Sequence, residues 1–106
     1  MDKINITQNF DPQADFIYYE GDILHLLKKV PDSFIKLVIT SPPYNIGKEY
    51  ESKVKIKEYL NNQERVIKEC VRVLDNNGSI CWQVGNFVDN GEIIPLDIVL
   101  YPIFSS

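Results

Sequence analysis

Lys36-Leu37-Val38-Ile39-Thr40-Ser41-Pro42-Pro43-Tyr44 is the stretch on which the reading of this chain turns. Its first half runs apolar residues consecutively, without alternation, the pattern of a β-strand covered on both faces as in a parallel sheet. Its second half is rigid. Two successive prolines fix φ twice and remove two backbone donors, which leaves carbonyl oxygens free and firmly aimed. A hydroxyl stands on one side of them and an aromatic ring on the other. In open parallel sheets ligands collect at the carboxyl ends of strands, where this segment falls. The set suits a flat ligand that carries an amino group: the ring stacks on its face, while the hydroxyl and a carbonyl accept its N–H bonds. A flipped nucleobase is a ligand of that shape.

Working outward, Phe16-Ile17-Tyr18-Tyr19 is aromatic and branched and reads as a short strand, after an irregular lead-in over residues 1–15. Glu20-Gly21-Asp22 is a turn in which Asp22 can cap the next helix. Ile23, Leu26, Leu27 and Val30 share one helical face, and Pro31 stops that helix. Downstream of Tyr44, residues 45–53 form a charged loop. A longer helix then shows an apolar stripe of Ile56, Tyr59, Leu60, Ile67, Cys70, Val71 and Leu74, with Lys68 and Arg72 near its C-terminal end, where cations suit the helix dipole. Asp75-Asn76-Asn77-Gly78 ends it, Ser79 to Val84 reads as a third strand, and residues 85–91 read as a polar loop. Pro95 suits the first turn of a last helix whose face would be Leu96, Val99, Leu100, Ile103 and Phe104. Strand and helix alternate three times, an α/β order with a parallel sheet, flanking helices and right-handed connections.

Composition narrows the field. The chain has 106 residues and a 44% apolar share, so a packed core is expected, with a thin stability margin at this size. A net charge of -4 argues against a free-standing electrostatic clamp on DNA. Cys70 and Cys81 are isolated thiols with no Cys-x-x-Cys pair, which argues against zinc and suits a reducing cytoplasm. No apolar run has membrane-spanning length, so a cytoplasmic location is expected. His25 falls off its helix's apolar face, Trp82 reads as sheet packing, and Lys48, Lys53, Lys55 and Lys57 are interspersed with Glu49, Glu51 and Glu58 as a solvated face. Asn86 and Asp89 follow a strand end, where they could line a pocket.

Ser41-Pro42-Pro43-Tyr44 resembles the Asp/Asn/Ser-Pro-Pro-Tyr/Phe motif of the DNA methyltransferases that modify exocyclic amino groups. The likeness extends over Val38 to Lys48, to the upstream Glu20-Gly21-Asp22 and Pro31-Asp32-Ser33, and to Val73-Leu74-Asp75-Asn76-Asn77-Gly78-Ser79, nearly the whole chain. It implies a partial Rossmann-like, S-adenosylmethionine-dependent methyltransferase fold, with double-stranded DNA carrying a flipped target base as partner. It also implies roles. Ser41 and the Pro42 carbonyl, held by Pro43, would accept the target amino hydrogens, and Tyr44 would stack on the base. Asp22 matches an acidic position at the cofactor's adenine end, and no metal is implied. Only 40 residues precede Ser41, too few for both a cofactor strand-loop-helix and the strand that follows it, and the glycines at 21, 47, 78, 85 and 91 never cluster as such a loop. The chain thus resembles the permuted branch, in which the target-base motif comes first. Residues 16–106 are expected to be the N-terminal part of the catalytic domain, without cofactor loop or recognition region, and prone to self-association. Within the resemblance, cytosine is favoured over adenine, since Ser at the first motif position is commoner among cytosine enzymes. An inactive remnant or interaction fragment, and a glutamine-amide methyltransferase, are the competing readings.

Overall fold

The computed structural model describes residues 3–42, 55–89 and 91–105, and contains three helices and six strands among them. β1 (Ile6–Thr7) and β2 (Phe16–Ile17) pair in parallel, as do β3 (Ile35–Thr40) and β4 (Leu74–Trp82). β5 (Asn86–Asp89) and β6 (Glu92–Pro95) form an antiparallel hairpin. The helices are α1 (Ile23–Leu27), α2 (Ile56–Val73) and α3 (Leu96–Ser105).

The α/β character and the parallel pairing of the second and third expected strands are present. The first expected strand departs from the single-sheet reading: β2 takes its partner from the lead-in segment rather than from β3. The stretch read as a polar loop, residues 85–91, holds β5 and the turn of the hairpin. Phe87 is 2% exposed there, while Gly91 takes φ +81° in the turn. Pro95 closes β6 opposite Asn86, one residue before α3, a sheet end where its missing N–H costs no ladder bond.

α2 is the spine of the molecule. Its buried face is Tyr59, Gln63, Ile67, Cys70 and Val73, spaced three and four apart. The stripe is therefore rotated from the expected one at its end: Val73 is fully buried while Val71 is 39% exposed. The N-terminal half packs with Phe87, Leu96 and Leu100. The C-terminal half packs with Leu27 and Val30 of the α1 segment and with Ile35 and Val38. Full burial of side chains such as Ile67 and Leu96 contributes about 1.5–3 kcal/mol each. Trp82 touches both clusters and meets Phe104 edge-on, with ring centroids 5.4 Å apart, so sheet packing is its observed environment.

The turn expected at residues 75–78 is a bulge inside β4. Ile35 pairs with Leu74 but Leu37 with Ser79, so four residues of β4 loop out against Lys36 alone. Asp75 holds the bulge, accepting from Lys36 Nζ and from the Asn77 N–H, each at 3.2 Å. Gly78 sits where a Cβ would lie 2.7 Å from Leu74 Cδ1 and 2.9 Å from the Lys36 carbonyl oxygen. Only glycine permits that approach.

Cover on both faces of β3 is not found among the described residues. Val38 faces α2, whereas Leu37 is 53% and Ile39 70% exposed on the opposite face. β3 has a strand partner, β4, on one edge only.

Candidate active site

The carboxyl end of β3 is fixed by two contacts. Thr40 pairs with Trp82 in register, and the Gln83 N–H donates to the Thr40 carbonyl at 2.9 Å. At the other end of the strand, the N–H groups of Ser33 and Phe34 donate to the Arg72 and Val73 carbonyls at 3.0 and 2.8 Å, pinning the end of α2 to the start of β3. α2 thus runs antiparallel to β3. Ten residues back from Val73 is Gln63, about 15 Å along the helix. The same distance along β3, at about 3.3 Å per residue, reaches Ile39 and Thr40. Gln63 therefore lies level with the strand's carboxyl end.

A cavity of about 590 Å³ opens there, bordered by Thr40, Pro42, Gln63, Trp82, Cys70 and Ile23 among others. Ser41, between the bordering residues Thr40 and Pro42, is exposed, and Pro42 is buried. Burial, and secondarily Glu69, pushes the Cys70 thiol above its usual pKa, so at neutral pH it is a neutral, apolar wall. Pro43 and Tyr44 lie outside the described residues.

Asp22 caps α1 as the sequence suggests: its Oδ1 accepts from the Leu24 N–H at 2.9 Å, with its own backbone extended. The following residue, Ile23, borders the cavity that Thr40 and Pro42 line, so the turn after β2 and the turn after β3 converge on one space. On the other side of the turn a second, more polar cavity of about 570 Å³ is lined by Gln8, Asn9, Tyr18, Tyr19, Glu20 and Gly21. Gly21 has φ +146°, and a Cβ there would lie 3.1 Å from the Tyr19 ring. Asn86 belongs to β5 and borders neither cavity. His25 is exposed. No group of acidic, His or Cys side chains among the described residues could hold a metal ion, and no described helix is long and apolar enough to cross a membrane.

Gln63 was not among the residues picked out from the sequence. The signal was present: it stands four residues after Tyr59 and four before Ile67, a polar residue on the apolar stripe.

A parallel strand pair running into Ser41-Pro42 beside a cavity has the arrangement at which α/β proteins commonly hold ligands. The DNA methylase family model, covering N6- and N4-methyltransferases, matches residues 35–101. The chain is similar to the type II methyltransferase M.BglII of Bacillus subtilis, 46% identical over 96% of this chain and 29% of that protein. It is also similar to the type II methyltransferase M.ScaI of Streptomyces caespitosus, 37% identical over 83% of this chain and 30% of the relative. A third relative, the DNA adenine methyltransferase YhdJ of Escherichia coli, is 38% identical over 72% of this chain and 26% of its own length. The chain belongs to the DNA amino-methyltransferase family. It spans under a third of the length of these relatives.

Proposed function

We propose that this chain carries the target-base part of a methyltransferase that transfers a methyl group from S-adenosylmethionine to the exocyclic amino group of a DNA base, within a Rossmann-like catalytic domain. The observation that carries the reading is the placement of Ser41-Pro42 at the carboxyl end of β3, over a cavity bordered by Thr40, Pro42 and Gln63, in a chain of this family.

In this reading the Ser41 hydroxyl and the Pro42 carbonyl accept hydrogens of the target amino group, drawing its nitrogen toward tetrahedral geometry. Tyr44 stacks on the base that has left the duplex. Positioning and acceptance of charge supply the rate enhancement; no covalent enzyme intermediate is involved. S-adenosylmethionine, when bound, supplies a methyl group activated on a sulfonium. The residues present fit its adenosine end: Asp22 uses Oδ1 for the α1 cap, which leaves Oδ2 for a ligand donor, and the polar cavity beside Gly21 offers Glu20, Asn9 and two tyrosines to a nucleoside. A Gly-rich loop for close backbone approach to the cofactor does not occur in the 106 residues.

Ser41, in place of an aspartate, supports cytosine as the base. The partner is double-stranded DNA, and the reaction belongs to a cytoplasmic restriction-modification or stand-alone methylation system. Transfer of labelled methyl from S-adenosylmethionine to duplex DNA by the protein at its native length tests the reading. Label on DNA, lost in Pro42→Ala with Tyr44→Ala, is expected; label on protein glutamine and none on DNA would overturn it.

A further inference from the structure

The lead-in segment forms half of a second strand-end site. β1 and β2 run parallel, with Ile6 opposite Phe16 and Thr7 opposite Ile17, so the chain leaves both strands at the same end. The Tyr18 N–H donates to the Thr7 carbonyl at 2.9 Å, which carries the pairing one step past β2. The Thr7 hydroxyl donates to the Asn9 carbonyl at 2.8 Å and turns the chain after β1. Phe10 then packs against the cluster around Leu27 and Cys70 and meets Phe34 edge-on, with ring centroids 5.5 Å apart. A strand pair too small to be stable alone is thus tied to the body of the molecule. The cavity of about 570 Å³ is bordered by both exits: Gln8 and Asn9 after β1, and Tyr18, Tyr19, Glu20 and Gly21 after β2.

The composition of that wall narrows its ligand. Among the described residues Glu20 is its one charged member and no Lys, Arg or His borders it, so a phosphate is disfavoured. Each carboxamide offers a donor beside an acceptor, which matches the amino group and neighbouring ring nitrogen of adenine. Guanine presents two acceptors at those positions and calls for arginine or lysine. The Gln8 and Asn9 side chains are exposed and have no hydrogen-bond partner among the described residues, so both are free to turn to a ligand. Tyr18 is 78% exposed, and an aromatic ring left in water is a stacking surface for a base. A carboxylate at a strand end suits ribose hydroxyls. We infer that the lead-in segment reads the adenine of an uncharged nucleoside: Gln8 and Asn9 recognise its amino edge, Tyr18 stacks on its face and Glu20 holds its ribose. This rests on the proposed reading of the chain as a methyltransferase, in which that nucleoside is the adenosine end of S-adenosylmethionine. It assigns adenine recognition to residues upstream of the stretch 35–101 that the family model matches.

The test uses the 106-residue chain, labelled with ¹⁵N and titrated with adenosine and guanosine. The side-chain amide signals of Gln8 and Asn9 and the backbone amides from Tyr18 to Gly21 are expected to shift saturably with adenosine. Guanosine should bind about tenfold more weakly, the equivalent of one hydrogen bond. Gln8→Ala combined with Asn9→Ala should melt as the parent does, because both side chains are exposed, yet bind adenosine about tenfold more weakly or worse. Tyr18→Ala should weaken binding by a similar factor and Tyr18→Phe should not. Equal binding of the two nucleosides, or an affinity unchanged in the double alanine variant, would overturn the inference. So would shifts confined to the cavity at the end of β3, or no shift with either nucleoside. The methyltransferase reading is judged separately, by transfer of labelled methyl to duplex DNA at native length, so the failure of one can be told from the failure of the other.

Discussion

Arg72 of α2 donates from Nη2 to the carbonyl oxygen of Leu27 at 2.7 Å, closing α1 from 45 residues further along the chain. Its Nη1 donates to the Val30 carbonyl at 3.0 Å and pairs with Asp32, while Nε pairs with Glu69 at 2.8 Å. The five-residue helix α1 is too short to persist alone. Backbone N–H groups of Lys28, Lys29 and Val30 reach the Leu24, Leu26 and Leu27 carbonyls, and the guanidinium adds a second donor at Leu27 and meets the Val30 carbonyl just beyond the helix. Bonds first to Glu69 and then to Asp32 hold that guanidinium's pKa well above its usual value.

Arg72→Ala should therefore lower the melting temperature and strip hydrogen-exchange protection from Leu27 to Val30 before the rest of the molecule. Arg72→Lys should recover little of it, because a point charge cannot meet carbonyls and carboxylates along a planar fork. Uniform loss of protection across the chain would show that Arg72 is not a local clamp.

Gly78→Ala should destabilise the fold by about 1–3 kcal/mol, the usual range for overpacking. The clash with Leu74 Cδ1 can relax, but the one with the Lys36 carbonyl is against backbone. Urea denaturation should show a lower midpoint; an unchanged one would mean that the bulge opens freely.

The Asp75 carboxyl is held below the ordinary carboxylate range, first by the Asn77 N–H and next by the Lys36 side chain. Because its folded pKa is depressed, its contribution is complete above the unfolded value, near 3.9. That contribution is lost as pH falls through the folded one. Between neutral pH and pH of about 2 the parent should lose more thermal stability than Asp75→Asn. Parallel curves for the two proteins would remove Asp75 from the account.

Leu37 and Ile39 leave an apolar strip on the uncovered face of β3, whose other edge has no described partner. Such edges associate. The chain should self-associate at high concentration, and Ile39→Lys should reduce the light-scattering mass toward the monomer. A monodisperse parent would contradict this.

What the sequence showed and what it hid follow from the range of the interactions involved. α2 was readable because eighteen residues repeat one periodic face, and the Asp22 cap because it is settled within two residues. The β5–β6 hairpin was hidden: Asn86, Asp89, Gly91 and Glu92 are loop-like residues, and Phe87 is buried by packing with Tyr59 and Ile67 of α2 and Leu96 and Leu100 of α3, all distant or downstream in the chain. Apart from Glu69 on its own helix, the partners of Arg72 stand 40 and more residues away, so its clamp on the α1 segment was not visible locally. The pairing of β1 with β2 rests on two residues per strand, too few for any periodicity. At the site, Ser41 and Pro42 declared themselves by chemistry, whereas Gln63 needed the strand and helix to be set level.

Tyr44→Ala should cost the native-length enzyme far more than Tyr44→Phe, since stacking of a base on a ring is worth about 1–3 kcal/mol and the hydroxyl has no role in the scheme. Equal losses in single-turnover assays would remove the stacking role.

The central claim, that Ser41-Pro42 presents a DNA base's amino group for methylation, is tested most directly by mass spectrometry of DNA from cells expressing the native-length protein. The account predicts N4-methylcytosine that disappears when Pro42 and Tyr44 are replaced. N6-methyladenine alone would contradict the choice of base, and 5-methylcytosine, or no methylated base at all, would contradict the claim itself.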